Sequence, residues 1–167
     1  MTGSATKTPK PAKKSRSATR TAARLAAVQA LYQMDMAGAD ANQVIQEFLD
    51  HRLSETAGSD PAKETDGPFF KDVVLGVVRT QRSIDPVLNE HLAQGWHLSR
   101  IDSILRAILR SAAYEITERE DVPAKVIITE YLDIAHDFFD TEEPKVVNGI
   151  LDRLARAQRA SEFKQSK

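Results

Sequence analysis

The sequence predicts an all-α protein, and three observations carry that prediction. Apolar residues recur with helical spacing, most clearly at Ile101, Ile104, Leu105, Ile108, Leu109 and Ala112, which mark one face of a helix. The segments marked in this way are divided by short stretches rich in helix-start and helix-stop residues. No segment makes a convincing strand, so the chain reads as about seven helices, with short connections that favour antiparallel neighbours and hence bundles.

The elements follow in order. Residues 20–36 form a helix in which Leu25, Val28, Leu31 and Tyr32 recur at helical spacing, and it ends near Gly38. Asp40, with Gln43 three residues on, opens a second helix with Val44, Ile45, Phe48, Leu49 and Leu53 on its apolar face. Residues 54–67 carry two Gly and a Pro and read as a mobile loop. Phe69, Phe70, Val73, Val74, Val77 and Val78 come as pairs every four residues, which favours a buried helix over the strand their β-branching would suggest. Ser83 and Pro86 restart the chain as a short helix through Leu92, ended by Gly95, with Trp96 as a core anchor. A cap at Ser99 and Asp102, to which His97 could also contribute, opens the helix of residues 101–112. Asp121 and Pro123 open the next, and Thr141 caps the last, with Glu142 and Glu143 in its first turn. From Arg156 onward the tail is polar and expected to fray. Any subdivision falls between residues 82 and 98.

Composition narrows the functional classes. The chain has 167 residues, 41% of them hydrophobic and 28% charged, which suits one folded domain. There is no Cys, which removes disulfides, thiolate catalysis and Cys-based zinc sites. No apolar run approaches the roughly 18 residues of a membrane span. The basic N-terminus lacks the apolar stretch of a secretory signal, so a soluble, cytoplasmic protein is expected. The net charge of -1 conceals an asymmetry. Lys7, Lys10, Lys13, Lys14, Arg16, Arg20 and Arg24 precede the first acid, Asp35, and the body beyond them is acidic. Residues 1–17 have no large apolar residue after Met1 and are expected to be disordered when free. A basic arm on an acidic body suits nucleic-acid binding, and equally a solubilising tail with weak affinity for polyanions.

Catalytic chemistry finds little support. His51, His91, His97 and His136 form no metal-binding pair at helical spacing, and there is no phosphate loop or nucleophile elbow. Two constellations suggest binding instead. Arg20 and Arg24 share a helix face, while Gln29 and Tyr32 extend that face or flank it; guanidinium groups can hold phosphates, and an amide and a phenol can contact unpaired bases. Tyr32 taken alone reads more readily as a core residue, and the arginines as solvated. Lys145 and Asn148 lie near the start of the last helix, where unpaired N–H groups attract anions but Glu142 and Glu143 oppose them. Asn148 and Gly149 are poor helix formers, which points to close packing or a polar contact there.

Five strings carry a resemblance when taken together: Ala26-Ala-Val-Gln-Ala-Leu-Tyr-Gln33, Ile108-Leu-Arg-Ser-Ala-Ala-Tyr-Glu115, Asp121-Val-Pro123, Val126-Ile-Ile-Thr-Glu130 and Val147-Asn-Gly-Ile-Leu-Asp152. In this order, over residues 20–155, the chain resembles the bacterial transcription antitermination factor NusB family. The resemblance implies an all-α fold of two small antiparallel helical bundles, about 20–82 and 83–155, between a basic extension (1–19) and a polar tail (156–167). It implies no enzymatic activity and no cofactor. It implies binding of boxA elements in nascent ribosomal RNA together with the ribosomal protein NusE, and action with NusA and NusG on RNA polymerase, by a monomer or a homodimer. It implies RNA contacts at Arg20, Arg24, Gln29, Tyr32, Lys145 and Asn148, and partner contacts at Tyr32, Asp102 and Glu142.

The chain departs from the family pattern at several points. Its extension is long and Lys-rich, and Thr21 and Ala22 dilute the arginine cluster. Val146 replaces a common aromatic, and Leu105 stands where an acid often faces the partner, a role Asp102 could take over. Two other readings stay open: a helical module like that fused ahead of ribosomal RNA methyltransferases, whose cofactor domain has no room after residue 155, and a purely protein-binding adaptor.

Overall fold

In a computed structural model, which describes residues 16–53 and 65–164, six α-helices fold around one continuous hydrophobic cluster. They are α1 (Arg16–Ala37), α2 (Ala41–Glu47), α3 (Gly67–His91), α4 (Ser103–Glu118), α5 (Ala124–Phe138) and α6 (Glu142–Gln158). A π-helical turn (Phe48–Leu53) continues α2, and a 3-10 turn (Ala160–Phe163) follows α6. No strand occurs among the described residues. Of the expected disorder over residues 1–17, residues 1–15 lie outside the described residues, as does nearly all of the expected loop (54–64); Arg16 and Ser17 instead begin α1, four residues ahead of the expected start at Arg20.

The local rules explain most boundaries. Gly38, at φ +63°, closes α1 with its N–H on the Met34 carbonyl at 2.9 Å. The Asp40 carboxylate accepts from the Gln43 N–H and starts α2. The Asp66 carboxylate does the same for Phe69 N–H at 3.0 Å, ahead of Pro68 in the first turn of α3. Asp102 caps α4 by accepting from Ile104 N–H at 2.8 Å and Leu105 N–H at 3.4 Å.

Four expectations are corrected. The two helices expected on either side of residue 83 are one: α3 runs through Pro86, because Val73, Val77, Ile84 and Leu88 keep one buried stripe across it and packing outweighs the lost N–H. Residues 98–101 form a turn on the His97 carbonyl, so the cap of α4 is Asp102 alone and the His97 side chain stays exposed. Thr141 precedes α6 without a side-chain capping bond. The tail does not fray at Arg156. Helix α6 continues to Gln158, and the buried Arg159 donates to the carbonyls of Ile116, Val122, Glu115 and Arg119 at 2.8, 2.5, 2.8 and 2.6 Å. Its planar fork thereby satisfies carbonyls at the C-terminal end of α4. Glu162 accepts from Ala124 N–H at 2.9 Å, the cap that Pro123 cannot give to α5.

Helix α4 is the hub, touched by α1, α3, α5 and α6. Every residue from Ala107 to Ile116 except the half-buried Arg110 is buried. Close packing decides two details here. An added Cβ at Gly76 of α3 would lie 2.2 Å from the Tyr114 ring, so only glycine lets that ring cross α3. The Tyr114 hydroxyl then donates to Asp72 at 2.8 Å.

Candidate nucleic-acid interface

Helix α1 presents a small-residue face of Ala23, Ala26, Ala27 and Ala30, all buried, which lets its backbone approach α3 and α4 closely. The stripe Leu31, Val28 and Ala27 continues back by helical spacing to Arg24, and that position points inward. Arg24 is 2% exposed, and Glu115, its partner, is fully buried. The pair is bidentate, with Nε and Nη2 each 2.9 Å from a Glu115 oxygen. The hydroxyl of the buried Tyr131 donates to the same carboxylate at 2.5 Å. Glu130 lies 3.6 Å from Arg24 and accepts from the Thr21 hydroxyl at 2.8 Å. Arg24 and Arg20 do share a face, but in this structure Arg24 is an internal tie between α1, α4 and α5 and offers no surface to a ligand. Burial and the Glu115 charge push the Tyr131 phenol well above its ordinary value.

One turn earlier stands a cationic cluster that the sequence did not reveal. Arg20, Arg24 and Arg119 all place their guanidinium carbons over the Phe69 ring, at 4.6, 4.9 and 4.9 Å from its centre. Arg119 is well neutralised by a bidentate pair with Asp121 at 2.9 and 2.8 Å and a contact to Asp72 at 3.0 Å. Those bonds push its guanidinium further up and, in return, pull the Asp121 carboxyl down. Arg20 is the opposite case. Its nearest carboxylates, Asp66 and Asp121, are both 3.8 Å away, and its buried Nε has no hydrogen-bond partner. Burial first, then the charges of Arg16 and Arg119, lower its hold on the proton, and the two aspartates only partly offset them. Arg20 is thus a cation held in place and incompletely compensated, with 14% of its side chain reaching solvent. Neither Arg119 nor Phe69 stands out in the sequence, because their contacts join residues about 50 positions apart.

The second half of α1 turns Gln29 and Tyr32 to an apolar groove of about 390 Å³, closed by Met36, Ile104 and Phe138 from α1, α4 and α5. Tyr32 is 37% exposed and Met36 63%, so Tyr32 is a surface residue and not part of the core. Asp102 lies two residues before Ile104, although its carboxylate is engaged in capping α4. Leu105 is in the core and faces no partner. Glu142, Lys145 and Asn148 are exposed on the first turns of α6, which begins four residues after Phe138. Val146 packs partly buried against the core. The structure therefore joins Gln29 and Tyr32 in one groove and leaves Arg20 in a separate cluster one helix half away. Among the described residues no group of three or more His, Asp or Glu could hold a metal, and no helix is long and apolar enough to cross a membrane.

Comparison with known proteins agrees with this arrangement of helices. The model of the NusB family matches residues 21–156. The transcription antitermination protein NusB of Bradyrhizobium sp. (strain BTAi1) is 54% identical over 86% of this chain and 85% of its own length. That of Nitrobacter hamburgensis is 51% identical over 86% of this chain and 90% of its own length. The structure of T. maritima NusB superposes with a TM-score of 0.71 at 30% identity, covering 87% of this chain and 97% of that one. The NusB of a crystallised complex with NusE and double-stranded RNA shares the fold, at a TM-score of 0.68 and 22% identity. With a family model spanning most of its length and relatives near half identical, this chain belongs to the NusB family.

Proposed function

We propose that this chain binds boxA-type single-stranded RNA in nascent ribosomal RNA transcripts, together with the ribosomal protein NusE, as a transcription antitermination factor. In that role it acts without catalysis and supports processive transcription through NusA, NusG and RNA polymerase. The observation that carries the reading is Arg20: a fixed guanidinium beside Arg16 and Arg119, with no carboxylate closer than 3.8 Å and a buried Nε without a hydrogen-bond partner, is a donor awaiting an anion. A backbone phosphate supplies that anion, and such contacts set affinity and register. Gln29, Tyr32, Lys145 and Asn148 are the groups proposed to touch unpaired bases and sugar, where sequence preference arises.

The groove at Tyr32, Met36, Ile104 and Phe138 suits the protein partner, and Asp102 and Glu142, two residues before Ile104 and four after Phe138 in the chain, are the acids proposed to meet it. The acidic body favours a basic partner, as a ribosomal protein is. Two ligands that share Tyr32 at their boundary reinforce each other, and the coupling is reciprocal. A titration of boxA-like and scrambled RNA, with and without the partner, tests the reading. Preference for the boxA-like RNA, sharpened by the partner, supports it. Equal binding of both RNAs, or binding indifferent to the partner, contradicts it.

A further inference from the structure

Away from the Arg20 cluster, a cleft of about 700 Å³ opens between the first half of α5, the second half of α6 and the closing 3-10 turn. Lys125 and Thr129 line it from α5, Asp152 and Arg156 from α6, and Phe163 and Lys164 from the end of the described chain. Its acids are engaged within the protein. Asp152 accepts from Arg156 Nε at 3.0 Å. Glu162 accepts from Ala124 N–H at 2.9 Å and from Arg159 at 3.2 Å. Lys125 and Lys164 are exposed at its mouth. Arg156 lies over the Phe163 ring at 4.8 Å with 60% of its side chain still open to solvent. A guanidinium plane supported on one side by an aromatic ring is a stacking platform for an unpaired base.

The cleft also continues the surface already assigned to RNA. Lys145, Asn148, Asp152 and Arg156 are spaced by three or four residues and so follow one flank of α6. Asn148 and Arg156 are about 12 Å apart along the helix axis. We propose that this cleft is a further RNA subsite. It takes nucleotides flanking the boxA-type segment, with phosphates on Lys125 and Lys164 and one base on the open face of Arg156.

The proposal rests on the RNA reading above, and its test separates the two. The affinity of the whole protein is measured for a boxA-like RNA and for the same RNA lengthened by unpaired uridines on its 5′ or its 3′ side. The double variant Lys125→Gln, Lys164→Gln, both surface positions, is measured alongside, with helicity confirmed. One lengthened RNA is expected to bind the parent more tightly than the short RNA. Two added phosphate contacts steepen the salt dependence by about 1.4, so fourfold more salt costs the lengthened RNA about sevenfold more affinity. The variant keeps the short-RNA affinity and loses the gain. If the short RNA binds but neither extension adds affinity, or if the variant keeps the gain, the subsite is refuted and the RNA reading stands. If the variant keeps the gain but loses the protein partner, the cleft is a protein contact and the subsite is likewise refuted. If the parent ignores every RNA, the RNA reading fails and the subsite with it.

Discussion

Replacing Arg24 by Ala strands the Glu115 carboxylate in the core. Glu115 is fully buried and takes three hydrogen bonds from side chains, two of them from Arg24 and one from Tyr131. Removing one partner of such a pair costs about 3–5 kcal/mol, mostly as the penalty for the charge left behind. A domain of this size is stable by roughly 5–15 kcal/mol, so the loss is a large share of the total. At roughly 2–4 °C per kcal/mol, the thermal midpoint falls by about 6–20 °C. Thermal and urea unfolding followed by far-ultraviolet circular dichroism reads the effect. The double variant Arg24→Met, Glu115→Leu is expected to lose much less than the two single variants combined, because no charge stays buried. An Arg24→Ala protein with an unshifted midpoint and weakened RNA binding would place this side chain at the surface and refute the reasoning.

Other predictions follow from the same packing. Arg159→Ala is expected to cost about 3 kcal/mol or more, because several buried carbonyls at the end of α4 lose their donor, and Arg159→Lys does not rescue it, since an ammonium cannot fork to them all; urea midpoints for the two variants decide this. Gly76→Ala drives a methyl group into the Tyr114 ring and is expected to cost about 1–3 kcal/mol or more, read in the same way, while a neutral effect would mean that Tyr114 does not cross α3 here. The Tyr131 phenol is held above its ordinary value of 10.0, so the unfolded chain releases this proton first and stability falls as pH rises past that value. Tyr131→Phe flattens that part of the alkaline slope in unfolding measured against pH, and an unchanged slope would show that the phenol is not buried against Glu115.

Much of the fold is legible in the sequence because its signals are local. Gly38 and Asp40 punctuate α1 and α2 by backbone geometry and side-chain reach alone, and the stripe from Leu105 to Ala112 shows its inward face through period. Pro86 misleads because a local breaker is overridden by a buried stripe that continues on both sides of it. Arg159 and Glu162 read as tail, yet they complete the ends of α4 and α5, about 40 residues away. The candidate site is legible only in part. Arg20 and Tyr32 fall where a ligand can reach them. Arg24 sits at helical spacing from Ala27, Val28 and Leu31, so position already placed it inside, and its charge turned the reading outward. The role of Arg119 depends on Phe69 and Asp72, partners that no local pattern joins to it.

The most direct measurement is the salt dependence of boxA-like RNA affinity for the parent protein and for Arg20→Gln, with thermal unfolding as a check on folding. If Arg20 holds a backbone phosphate, the variant binds more weakly at every salt concentration and its slope is shallower by about 0.7, the loss of one contact. Identical slopes and affinities for two equally folded proteins would contradict the assignment of the Arg20 cluster as the place where RNA is held.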